Sequence, residues 1–223
     1  MGSRRLPGKV LKEIIPGRSM LSLMLERVER SKHATQIIVA TPDTPQDQAI
    51  VEESTQAGAD TFCGDEHDVL RRYVDAALVF DSDIVVRLCA DSPLHDAQII
   101  DSCIELYLSH QGEVDYVSNL MPESFPYGTA VEVFPTDVLL RIDQLTTDPA
   151  MREHVTPYIH HNPEQFKIMN LQHKTDLSHL RWAVDTAEDF AFVKSVYRAF
   201  YETDSQFSWL QAVEMQLKAS SAV

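Results

Sequence analysis

Residues 68–91 read DVLRRYVDAALVFDSDIVVRLCAD, and two different periods follow one another inside this stretch. Val69, Leu70, Tyr73, Ala76, Ala77 and Phe80 recur at the spacing of one helix face. DIVVRL (83–88) is then a short apolar, β-branched run of strand length. CAD closes it, which puts Asp91 just past the end of a strand. A helix leading straight into a buried strand, with a carboxylate at the strand exit, is the repeating unit of an α/β fold.

The same alternation continues on both sides. Upstream, Ser19 is a helix cap for a segment through about Lys32, with Met20, Leu23, Met24 and Val28 on one face. QIIVAT (36–41) is a strand, a helix carries Ala49, Ile50 and Glu53 and ends near Gly58, and ADTFC (59–63) is another strand. Downstream, Ile99, Ile100, Cys103, Ile104 and Tyr107 mark a helix, and VDYVSN, TAVEVF, FKIMNL and LRWAV supply further strands. The period is roughly 25 residues, which points to a mostly parallel sheet with helices on both faces. The spacing loosens over about 115–180, where an antiparallel strand or a small lobe is expected. The whole of 1–223 reads as a single domain.

Composition narrows the function classes. The net charge of −15 excludes a nucleic-acid surface. Residues 1–18 nevertheless carry Arg4, Arg5, Lys9, Lys12 and Arg18 against Glu13 alone, a local balance of +4. Exposed charges are screened over ~10 Å, so a small anion responds to this loop more than to the distant acidic surface. No apolar run reaches the ~18 residues of a membrane span. Cys63, Cys89 and Cys103 are odd in number and lack a CxxC, which suits reduced thiols in a cytoplasmic protein.

The opening segment GSRRLPGKVL reads either as a solvated basic terminus or as a phosphate-holding loop of an unusual kind. A P-loop is excluded because five residues separate Gly2 from Gly8 and Val10 stands where the Mg²⁺-binding hydroxyl belongs. What remains is backbone N–H groups near Gly2 and Ser3, with Arg5 and Lys9 as oxyanion partners. Asp91, and Asp185 directly after LRWAV, both close expected strands, and ligands of open α/β sheets sit at the carboxyl ends of strands. Two carboxylates plus substrate phosphates suit Mg²⁺. The plainer reading is that Asp91 starts a turn and that Asp185, with Thr186 and Asp189, organises the next helix terminus. His160 and His161 are adjacent and read as a polar surface pair. There is no HExxH, GxGxxG or G-x-S-x-G.

Seven motifs stand in a telling order: GSRRLPGKVL, GDEHDVLRRY, VVRLCADSPL, DYVSN, YGTAVEVF, REHVTPYI and WAVDTAEDF. Together they resemble the bacterial sugar cytidylyltransferases, most of all the spore coat polysaccharide biosynthesis protein F branch, related to acylneuraminate and 3-deoxy-manno-octulosonate cytidylyltransferases. The resemblance runs from Gly2 to about Tyr201. It implies a three-layer α/β/α fold of the nucleotide-diphospho-sugar transferase type. It also implies Mg²⁺-dependent transfer of CMP from CTP to a sugar or sugar acid, with pyrophosphate released, for surface polysaccharide synthesis. By the same resemblance Gly2, Ser3, Arg5 and Lys9 hold the triphosphate, and Asp91 and Asp185 hold the metal. Asp68, Arg71 and Arg87 approach the nucleotide, while Tyr127, Gly128, Glu132, Glu153 and His154 lie toward the sugar. A homodimer is expected by analogy.

Two departures accompany it. Ala90 stands where a glycine is usual. An apolar strand and an arginine usually precede the loop, so the expectation is a sheet lacking a central strand and a natural start lying upstream. The alternative function is a catalytically weak or silent relative that binds a nucleotide or sugar.

Overall fold

The computed structural model describes residues 5–221. Eight strands and nine α-helices are formed: β1 (Glu13–Ile15), β2 (Arg18–Ser19), α1 (Met20–Val28), β3 (Ile38–Pro42), α2 (Gln48–Gln56), β4 (Asp60–Gly64), α3 (Val69–Val79), β5 (Ile84–Arg87), α4 (Ala97–Leu108), β6 (Tyr116–Ser118), β7 (Glu132–Pro135), α5 (Thr136–Leu145), α6 (Pro149–His154), α7 (Pro157–His161), β8 (Ile168–Asn170), α8 (Ala187–Phe200) and α9 (Trp209–Ser221). The helix starts follow local chemistry. Ser19 accepts from the Ser22 N–H, Asp68 from Arg71 and Asp96 from Gln98, each satisfying an orphan donor of the first turn. Thr186 and Asp189 close a full capping box on α8.

The central four-stranded sheet has the order β5-β7-β6-β8. Strand β7 is antiparallel to both neighbours, and β8 is parallel to β6. Strands β5, β6 and β8 therefore share one direction, with β7 as the antiparallel strand expected of the less regular half. Side chains alternate between two cores. Ile84, Val86, Val117, Val133 and Met169 face one cluster with Leu23, Ile100, Val193 and Ala212 of α1, α4, α8 and α9. Val85, Tyr116, Phe134 and Ile168 face the other with Leu70, Val138 and Ile159 of α3, α5 and α7. Helices thus cover both faces, giving three layers.

Strands β3 and β4 form a separate parallel pair. No ladder joins β3 to β5 among the described residues, and both strands are only half-buried along their length. One expected strand is corrected: LRWAV forms only an isolated bridge between Arg181 and Tyr127. Its backbone is committed elsewhere, because the Trp182 N–H donates to the Tyr127 carbonyl at 2.7 Å and the Val184 N–H to the Asp91 carbonyl at 2.8 Å.

Candidate active site

The loop enters through Gly8, whose φ of 65° turns the chain into a single 3-10 turn at Lys9–Leu11. This turn lays Lys9 between the segment that follows β5 and the segment that leads into α8. Its ammonium donates to Asp91 Oδ2 at 3.1 Å, to Asp185 Oδ1 at 3.3 Å and to the Val184 carbonyl at 2.6 Å. Three segments far apart in sequence therefore meet at one nitrogen. Lys9 is the most enclosed of the three side chains at 12% exposure, against 34% for Asp91 and 21% for Asp185.

Asp185 gathers two more cations on its other oxygen, Arg181 at 2.5 Å and the largely exposed Arg5 at 3.1 Å. Burial works against its charge, but Lys9, Arg181 and Arg5 outweigh it and hold the carboxyl below the usual aspartate range. The plainer reading of this segment holds at the same time. The Asp185 and Thr186 N–H groups both donate to Asp189 Oδ2, so the segment that carries the candidate ligand also starts α8. A cavity of about 230 Å³ opens beside Lys9, lined by Gly8, Val10, Leu21, Val39, Thr41 and Ala90.

Whether Mg²⁺ suits these residues is a question of donor chemistry. Two half-buried carboxylates already share one cation, and oxygen donors of this kind match a hard divalent ion completed by water and phosphate. No group of three or more His, Cys, Asp or Glu side chains with metal-binding geometry exists among the described residues. The fit is therefore to a metal that arrives with its substrate's oxygens.

The remaining expected residues are dispersed. Gly2 and Ser3 lie outside the described residues. Asp68 and Arg71 sit at the start of α3, where Arg152 donates to Asp68 at 2.8 Å and Arg71 pairs with Asp75 at 2.5 Å. Together with Asp143 they tie α3, α5 and α6, and among the described residues neither is bonded to Lys9, Asp91 or Asp185. Glu153 and His154 are exposed on α6.

Arg87 and Glu132 face each other across the β5–β7 ladder and form an ion pair. Glu132 is 1% exposed, so its carboxylate lies beneath the surface. Tyr127 is 46% exposed, with the Arg181 guanidinium 4.9 Å above its ring. Gly128, at φ +103°, lets the 126–129 turn close on the 181–183 segment; a Cβ there would lie 2.4 Å from the Ala183 nitrogen.

A sequence reading changes here. His160 is only partly exposed, unlike its neighbour: its Nε2 lies 2.9 Å from the Tyr116 hydroxyl, and its ring packs edge-on against Tyr116. Adjacent histidines on a helix point about 100° apart, so one of the pair turns inward while His161 bonds the Pro157 carbonyl of its own helix. Arg181 is a further residue of the site, bonded to both Asp185 and Asp189, and no local periodicity marks it because 181–185 is not helical. All three cysteines are free.

A cytidylyltransferase family model matches residues 1–218. The chain belongs to the cytidylyltransferase family. Among curated relatives of this cytidylyltransferase, the spore coat polysaccharide biosynthesis protein SpsF of Bacillus subtilis is 28% identical over 205 residues, covering 89% of this chain and 83% of that protein. A solved cytidylyltransferase from Leptospira borgpetersenii superposes with a TM-score of 0.94 at 34% identity, covering 99% of this chain and 92% of that one. A CMP:2-keto-3-deoxy-manno-octonic acid synthetase solved with CTP gives a TM-score of 0.67 at 17% identity, covering 89% and 95%, and shows the fold alone. No helix among the described residues of this cytidylyltransferase is long and apolar enough to cross a membrane.

Proposed function

We propose that this cytidylyltransferase moves CMP from CTP to a sugar or sugar acid destined for a surface polysaccharide, releasing pyrophosphate with Mg²⁺ as its cofactor. The observation that carries the reading is the convergence of Asp91 and Asp185 on the Lys9 ammonium. A sugar oxygen attacks the α-phosphorus while pyrophosphate leaves in line, so the protein's task is positioning and charge neutralisation.

Lys9 and Arg5 take the triphosphate oxygens, offsetting the charge that builds on the leaving group. At ~4 Å and an effective dielectric near 20, one such contact is worth about 4 kcal/mol before desolvation. When Lys9 turns to phosphate, Asp91 and Asp185 lose their shared ammonium; these two carboxylates would hold Mg²⁺, which would supply Lewis-acid charge to the reacting phosphate. Arg181 stays on Asp185 and keeps that carboxylate aimed. Tyr127 offers an exposed ring at the same rim for the sugar or base. A cytoplasmic homodimer belongs to the same proposal, and light scattering of the purified chain tests its assembly.

Pyrophosphate release from CTP, measured with Mg²⁺ against a panel of nine-carbon and simpler sugars, tests the reaction. Asp91→Asn, Asp185→Asn and Lys9→Met are each expected to lower turnover by 10²–10³-fold while the protein stays folded. Normal turnover in any one of these variants would remove that residue from the site. CTP-induced thermal stabilisation without turnover would select the silent-relative alternative.

A further inference from the structure

A second polar cluster lies under the sheet end. Arg87 on β5, Glu132 on β7, Tyr116 on β6 and His160 on α7 form one hydrogen-bonded chain. It adjoins the first cluster along the chain: Arg87 ends β5, and Asp91 follows four residues later.

The protons in the chain can be assigned. Arg87 Nη1 donates to Glu132 Oε2, and the Tyr116 hydroxyl donates to Oε1 at 2.6 Å. A phenol has one proton to give. With that proton on Glu132, the Tyr116 oxygen is an acceptor toward His160, whose Nε2 at 2.9 Å carries the hydrogen. His160, at 28% exposure, is the end of the chain that reaches solvent.

At the other end, Arg87 Nε is buried with no partner. Its Nη2 makes no hydrogen bond among the described residues, although Nη1 is committed to Glu132. Nε and Nη2 form one edge of the guanidinium, the edge that grips an oxyanion through two parallel N–H bonds. A buried donor without a partner is costly, and a bound oxyanion would satisfy this one.

We propose that Tyr116 and His160 are positioning residues, which through Glu132 fix the Arg87 guanidinium so that its free edge receives a substrate oxyanion. The proposal rests on the cytidylyltransferase reading for the source of that oxyanion, a CTP phosphate or the carboxylate of a sugar acid. It does not need that reading for the geometry.

The test uses four folded full-length variants: Tyr116→Phe, His160→Leu, His160→Gln and Arg87→Lys. Glutamine places an amide N–H near the position of Nε2, so it is the rescue variant. Inorganic phosphate is titrated while the Arg87 Nε–H resonance, assigned by its loss in Arg87→Lys, is followed by NMR. Wild type and His160→Gln are expected to respond alike, and Tyr116→Phe and His160→Leu about ten-fold more weakly. Pyrophosphate-release kinetics with CTP and N-acetylneuraminate then locate the source, by whether the KM for nucleotide or for sugar acid rises about ten-fold while kcat stays within two-fold.

An unresponsive Arg87 resonance in wild type, or equal responses in Tyr116→Phe, His160→Leu and wild type, overturns the proposal. So do unchanged KM values for both substrates in an active Tyr116→Phe enzyme. A phosphate response with the expected variant pattern in a protein that never turns over CTP sustains the positioning and sinks only the reaction.

Discussion

Among single residues, His95 holds the least comfortable position. It is 1% exposed in the turn before α4, and neither ring nitrogen makes a well-formed hydrogen bond. Burial lowers its pKa from 6.5 to about 4, and Arg27 adds to the effect; Asp91 and the Cys89 backbone offset it only in part. The unfolded chain therefore binds a proton near pH 6.5 that the folded chain refuses until about pH 4. Between those values stability falls as pH falls, and the contribution is restored above 6.5. By pH 4 the loss from this one ring is on the order of 3 kcal/mol. His95→Leu is expected to be at least as stable as wild type at pH 7 and to resist acid better. Urea unfolding at pH 7, 5.5 and 4.5 checks this; parallel losses in both proteins would show that the ring charges freely in the fold.

At the level of elements, what the sequence shows depends on how local the signal is. Strands β3, β4 and β5 and helices α1 to α4 lie close to where periodicity and caps place them, because each is marked by neighbours within a few residues. The pairing of Arg87 with Glu132 depends on β5 meeting β7 in one register across 45 residues, and nothing local encodes it. Segment 180–184 misleads for the same reason. It is apolar and strand-like, yet its backbone partners are Tyr127 and Asp91 rather than a neighbouring strand. Gly128 is the hinge of that arrangement, since its positive φ and lack of a Cβ let two backbones touch. Gly128→Ala drives a methyl into the Ala183 nitrogen and is expected to cost about 2–4 kcal/mol. It should also displace Asp185 from Lys9, so turnover falls beyond what the lost stability explains. Denaturant midpoints and pyrophosphate release on one preparation separate the two effects, and a variant of wild-type stability and rate would show that the close approach relaxes without consequence.

For the whole molecule, the break between β3 and β5 predicts two levels of cooperativity. Strands β6 and β7 are bonded on both sides and sit between two large buried clusters. Among the described residues β3 and β4 each have a ladder on one side only, and the pair is anchored through the small cluster of Leu21, Leu25, Ile50 and Ala59. A unit with one ladder and few buried side chains opens at lower free energy than the body it leans on. Amides of β3 and β4 are therefore expected to exchange at least ten-fold faster than those of β6 and β7 under native conditions. Uniform protection across all four strands would mean that the break carries no energetic boundary. The weak unit also forms one wall of the cavity beside Lys9, through Val39 and Thr41. A ligand that binds only the closed arrangement stabilises it by mass action, by about 2.7 kcal/mol at a hundred times its dissociation constant. CTP with Mg²⁺ should thus slow exchange in β3 and β4 far more than in β6 and β7, and a uniform slowing, or none, would place the nucleotide away from that wall.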